Sequence, residues 1–187
     1  MRVIVAGLGP SIDLITPELG RACIIVGLND IGRHLDPTHL VVQDPLTTFS
    51  PERIRYIQES RAEIVWVPPN WDGSHPRQRP TPMCRLPRRG AIRFDVDWLW
   101  IHRTSAVAAV HVAFRLGADR IGLAGVDLLE PHSLARQRLV IDSAFDRIRF
   151  ALDQSGVHLV NLSAISTLCS LPRESIHEFM GEDADPA

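Results

Sequence analysis

The chain has no lysine: all 20 of its basic residues are arginine. No P-loop lysine can cradle a phosphate and no lysine Schiff base can form, which excludes a Walker-type kinase and an aldolase-like enzyme. Arginines and backbone amides must do any phosphate binding. Cysteine is scarce, with Cys23, Cys84 and Cys169 far apart, so neither a disulfide framework nor a zinc site has the spacing it needs. Long apolar runs are missing as well, and no basic and apolar leader precedes the first strand. No membrane span is expected, and the expected location is cytoplasmic. The formal net charge of −2 lacks the basic excess of a nucleic-acid binder, so no nucleic-acid partner is expected.

What remains is an ordinary soluble composition, 45% hydrophobic and 22% charged over 187 residues, enough for one domain with a full core. Its pattern alternates strand and helix. Arg2 to Ala6, Ala22 to Gly27, His39 to Gln43 and Glu63 to Val67 are short β-branched runs followed by turn residues, each read as a strand. Ser50-Pro51-Glu52 opens a helix with a cap, a proline and an acid in the first turn. Thr104 and Ser105 can cap a second helix in which Val107, Val110, His111, Phe114 and Ala118 repeat at helical spacing and so bury one face. Gly117 stops that helix, and Arg120 to Ala124 is an apolar run suited to a central parallel strand. Ile141, Ala144, Phe145, Ile148, Ala151 and Leu152 mark one face of a third long helix, and Val157 to Val160 closes the sheet. Right-handed crossovers then give a Rossmann-like, mostly parallel sheet with helices on both faces.

Residues 68–90 interrupt the pattern with six prolines and five arginines, and a long irregular loop is expected there. It is either a lid that brings arginines over an anionic substrate or a solvated excursion or oligomer contact. The domain is expected to run from 1 to 175, followed by an acidic, disordered tail over 176–187.

The polar residues that end the strands form one cluster. Gly7-Leu8-Gly9-Pro10-Ser11 turns from strand one into a helix beginning near Ser11, where glycines permit close backbone approach and a helix amino end offers N–H groups to a phosphate. A third glycine at the dinucleotide spacing is missing, which argues against NAD. Asn29 ends strand two and can bond a base or ribose, or close a local turn. Asp44 follows strand three. Asp127 falls just past Gly125, at the carboxyl end of the central strand, where open α/β sheets gather their ligand groups.

In this order the motifs resemble a family. Gly7-Leu8-Gly9-Pro10-Ser11, a strand ending in Asn29, Thr104-Ser105-Ala106-Val107 opening a helix, Leu116-Gly117, Gly125-Val126-Asp127-Leu128, and the final Leu159 to Ser166 stretch are similar to the bacterial sialyltransferases that decorate lipooligosaccharide. The likeness is weaker to the motility-accessory glycosyltransferases and the archaeal 6-hydroxymethylpterin diphosphokinases. The resemblance implies that Gly7, Gly9, Pro10 and Ser11 meet the nucleotide phosphates and sugar, that Asn29 lies near the ribose or donor, and that Thr104, Ser105, Gly125 and Asp127 stand beside it. It also implies that His132 is the general base on an acceptor hydroxyl. Leu8 departs from the family, which usually carries Asn there. Only four residues separate Asp127 from His132 where the sialyltransferases carry a lid with tyrosines that hold the departing phosphate, and the single tyrosine is Tyr56. Arg136 or Arg138 is the available substitute.

The expectation is therefore a nucleotide or nucleotide-sugar transferase, sialyltransferase-like, with a CMP-linked donor as the candidate ligand and an unidentified acceptor; homo-oligomerisation is open. Two alternatives stand beside it. One is pyrophosphoryl transfer from ATP with Asp44 and Asp127 holding Mg²⁺; the other is a non-catalytic nucleotide- or partner-binding module.

Overall fold

Short β-branched runs form the strands, and nearly every residue in the central ones is buried, as strands covered by helices on both sides must be. The structure, a computed structural model, describes residues 1–129 and 135–181. In chain order it contains β1 (Arg2–Ala6), α1 (Pro17–Ala22), β2 (Ile24–Leu28), β3 (His39–Val41), α2 (Pro51–Gln58), β4 (Ile64–Val67), β5 (Gln78–Pro80), β6 (Met83–Arg85) and β7 (Leu99–Ile101). These are followed by α3 (Ala106–Arg115), β8 (Arg120–Ala124), α4 (Ala135–Asp153), β9 (His158–Asn161) and α5 (Ile176–Met180). Seven strands make one wholly parallel sheet in the order β5-β4-β3-β2-β1-β8-β9. From β1 the chain steps outward to β5 and then returns to lay β8 on the other side of β1. That reversal opens a crevice at the carboxyl ends of β1 and β8.

Strand alternation sorts the core. Val3 and Val5 of β1, with Ile121 and Leu123 of β8, face Phe145, Ile148 and Leu152 of α4 and the apolar side chains of α3. On the opposite face Ile4, Ala124 and Val160 meet Phe179 of α5, while Ala6, Ile25, Leu40 and Val65 pack with Ile57 of α2.

Four expectations need correction. The helix read near Ser11 is one 3-10 turn, Pro10–Leu14, and α1 begins only at Pro17, where Thr16 Oγ1 accepts from Leu19 N. Helix α3 buries every residue from Ala106 to Ala113 and not one face, because the β6–β7 ribbon lies over its outer side. The Pro/Arg-rich segment is not wholly irregular: β5 pairs with β4, and β6 with β7. An edge strand tolerates Pro80 because only one of its sides must donate to a ladder. The acidic tail contains a core residue. Ser175 and Glu178 form a reciprocal capping box, and Phe179 is fully buried. Gly122 in β8 leaves room for it, since a Cβ there would lie 3.1 Å from the Phe179 ring and 2.6 Å from Leu162. The packed chain thus runs past 175, and residues 182–187 lie outside those described.

His111 ties the ribbon to α3. Its Nδ1 accepts from Trp100 N at 3.0 Å and its Nε2 donates to the Phe94 carbonyl at 2.8 Å, an arrangement that requires the neutral ring. Burial pushes its pKa down from 6.5 to about 4, against the Phe94 hydrogen bond and with a smaller contribution from Arg115. The unfolded chain takes up this proton near pH 6.5 and the folded one resists it, so the stabilisation is complete above 6.5 and is lost as pH falls toward 4. Urea titrations across that window should show a loss of about 3 kcal/mol, and His111→Gln should flatten it. An unchanged slope in the variant would contradict this role for His111.

Candidate functional site

The carboxyl ends of β1, β2 and β8 and the entrances of α3 and α4 enclose a cleft of about 630 Å³. Of the ten residues predicted to bind, Gly7, Gly9, Pro10, Asn29, Asp44, Thr104, Ser105, Gly125 and Asp127 line it. Ser11 does not. Its amide donates to Asp127 Oδ2 at 2.8 Å, its hydroxyl donates to Asp127 Oδ1 at 2.6 Å, and the same oxygen accepts from Gly125 N at 2.7 Å. The residue read as a phosphate contact is consumed by the protein. It fastens the turn after β1 to the end of β8.

The glycines serve the same junction. A Cβ on Gly7 would lie 2.3 Å from the Gly125 carbonyl oxygen, and one on Gly125 would lie 2.4 Å from that of Gly7. Gly9 N donates to the Gly125 carbonyl at 2.7 Å. Its φ of −74° suits any residue; what it lacks is space, for a Cβ would sit 2.6 Å from Asp127 Oδ2 and 2.9 Å from the Gly125 oxygen. The Gly-x-Gly therefore records backbone contact between two strand ends.

Asp127 is almost fully buried, and the polar turn after β9 holds it in place. Thr167 N and Oγ1 donate to the Asp127 carbonyl at 2.9 and 3.3 Å, and Ser166 Oγ donates to that of Val126 at 3.1 Å. Leu128, at a strained φ of 53°, receives a further bond from Thr167 Oγ1 at 3.2 Å. Neither Ser166 nor Thr167 was assigned such a role from sequence; the only signal was a run of hydroxyls after the last strand.

Asn29 behaves differently. It occupies left-handed backbone, φ 50°, and its amide N–H donates to the Val41 carbonyl at 3.0 Å. Its side-chain Oδ1 is enclosed and has no hydrogen-bond partner among the described residues, at the cleft wall. The local turn bond is not made. Its neighbour Asp30 is fully buried and paired with Arg53 at 2.6 Å. Beside β3, Gln43 Nε2 donates to the His102 carbonyl at 3.1 Å, which anchors the chain just before Arg103 and Thr104. Thr104 Oγ1 in turn accepts from Ala106 N at 3.3 Å, and the Ser105 hydroxyl caps nothing.

Two arginines, Arg103 and Arg138, complete the lining. His132 and the side chain of Arg136 fall outside the described residues. Among the described residues no group of three or more His, Cys, Asp or Glu could hold a metal ion, and no helix is long and apolar enough to cross a membrane.

No family model matches the chain, and no curated protein matches it. Solved structures do. The α-2,3/8-sialyltransferase CstII, solved as a point mutant, aligns at a TM-score of 0.51 with 16% identity, covering 94% of this chain and 87% of that one. CstII from Campylobacter jejuni in complex with the substrate analogue CMP-3FNeuAc aligns at 0.52 with 15% identity over 93% and 85%. The fold is thus a sialyltransferase-like α/β sheet. The pyrophosphokinase alternative gains no support from these structures.

Because the Cβ position of Gly9 coincides with the Asp127 carboxylate, Gly9→Ala should lower the unfolding free energy by about 1–3 kcal/mol with no ligand present. Denaturation of the unliganded variant checks it. A fully stable variant would contradict this close packing of Gly9 against Asp127.

Proposed function

We propose that the cleft binds a nucleotide sugar, CMP-linked, and that the protein transfers the sugar to an acceptor hydroxyl. The observation that carries this reading is Asn29. A buried amide oxygen without a partner costs free energy, and left-handed backbone at a non-glycine residue adds strain; the two coincide on the wall of the switch-point cleft. A nucleoside's ribose hydroxyls, or a base amino group, would supply the missing donor. The fold shared with an enzyme solved with CMP-3FNeuAc makes CMP the first nucleotide to test. Thr104 and Ser105 offer hydroxyls on another side, while Gly7, Gly9 and Ser11 act as the frame that places them. The base on the acceptor would be His132, by resemblance.

CMP at about a hundred times its dissociation constant should add about 2.7 kcal/mol to stability, with UDP, GDP and ATP weaker and EDTA without effect. Asn29→Gly keeps the left-handed backbone and deletes only the amide, so it should leave unliganded stability unchanged and weaken CMP binding about tenfold. Equal binding by variant and wild type would remove the observation on which the reading stands.

If His132 takes the acceptor proton, His132→Ala should lower kcat about a hundredfold with donor affinity intact. Unchanged turnover would refute the role, and donor binding without turnover in the wild type would make this a binding module.

A further inference from the structure

Two positive charges on the cleft have no partner among the described residues. Arg138 lies in the first turn of α4, and its Nε is enclosed without a hydrogen-bond partner. Arg103, beside Thr104, makes no hydrogen bond or ion pair among the described residues. Arg53 meets Asp30 at 2.6 Å, Arg173 the Ser166 carbonyl at 2.7 Å and Arg120 Glu174 through their terminal nitrogens, and Arg2, whose Nε is enclosed like that of Arg138, does not line the cleft. Of the two cleft carboxylates, Asp127 is held by Ser11, and Asp44 makes no ion pair with either arginine. Arg138 also stands against the local rule for helices. The first turn of α4 has no acidic residue, and a cation at a helix amino end opposes the helix dipole. An enclosed Nε without a partner on a cation in that position carries a cost that an anion on the cleft side would relieve.

We infer that Arg138, seconded by Arg103, binds the phosphate of the nucleotide and stabilises it as the leaving group. This rests on the nucleotide-sugar reading. In the transfer the acceptor oxygen bonds to the anomeric carbon while the bond from that carbon to the phosphate oxygen breaks. The electron pair leaves with the phosphate, which passes from one negative charge as a diester to two as the nucleoside monophosphate, and the acceptor proton goes to the base. A permanent guanidinium meets the added charge with two parallel N–H donors, and it binds the product state more strongly than the substrate state. An arginine on α4 thereby does electrostatically what hydroxyls of a longer lid would do by hydrogen bonding.

Calorimetric titration of wild type, Arg138→Gln and Arg138→Lys with CMP, cytidine, UDP and inorganic phosphate, together with their unliganded melting temperatures, tests this. Arg138→Gln should weaken CMP binding about ten- to a hundredfold, leave cytidine within about twofold, and melt no lower than wild type. Arg138→Lys should recover only part of the loss, since the charge returns without the fork. Equal losses for CMP and cytidine, unchanged CMP affinity, or a lowered melting temperature would overturn the assignment and leave Arg138 a structural residue. If wild type prefers UDP or phosphate to CMP and Arg138→Gln abolishes that binding, the CMP reading falls and the arginine stands; if wild type binds none of the anions, both fall.

Discussion

The contact between Ser11 and Asp127 joins the two halves of the sheet where the strand order reverses. An open α/β sheet leaves a crevice there, because the chain leaves β1 in one direction and returns on its other side only at β8, some 115 residues later. Three hydrogen bonds of 2.6 to 2.8 Å close that gap. Two of them satisfy a carboxylate that would otherwise be buried unpaired, and together they fix the turn that forms one wall of the cleft. Gly7, Gly9 and Gly125 are small because the two strand ends touch through their backbones. The residues of the hydroxyl turn, Ser166 and Thr167, hold the same junction from the far side.

Once the junction is closed, the polar groups left without partners sort themselves into ligand candidates. Ser11 and Asp127 are spent. Asn29 Oδ1 and Arg138 Nε have no partner among the described residues, and both residues line the same cleft. One supplies an acceptor suited to a nucleoside, the other a cation suited to its phosphate. The cleft therefore divides into a neutral part and a charged part.

Much of the fold was legible because its signals are local. β-branched runs ended by turn residues located the strands from β1 to β4, and the spacing of Ile141, Phe145, Ile148 and Leu152 marked the buried face of α4. What failed depends on contacts distant in sequence. Nothing near Ala106 to Ala113 says that a ribbon will cover the second side of α3, and nothing near Phe179 says that Gly122 has made room for it. The site was legible as a set of positions and not as a set of roles. Strand ends converge at a switch point, so Gly7, Asn29 and Asp127 could be named together; whether a serine meets a ligand or an aspartate is decided by a residue 116 positions away.

Ser11 and Asp127 act as one structural unit beneath the cleft. A double-mutant cycle on unfolding free energy, with Ser11→Ala, Asp127→Asn and the pair measured without ligand, tests it most directly. Each single change should destabilise, and the double variant should be more stable than their sum predicts, by a coupling of about 1.5–3 kcal/mol. Additive losses within about 0.5 kcal/mol, or a neutral Ser11→Ala, would show the two residues to be independent and would return Ser11 to the nucleotide.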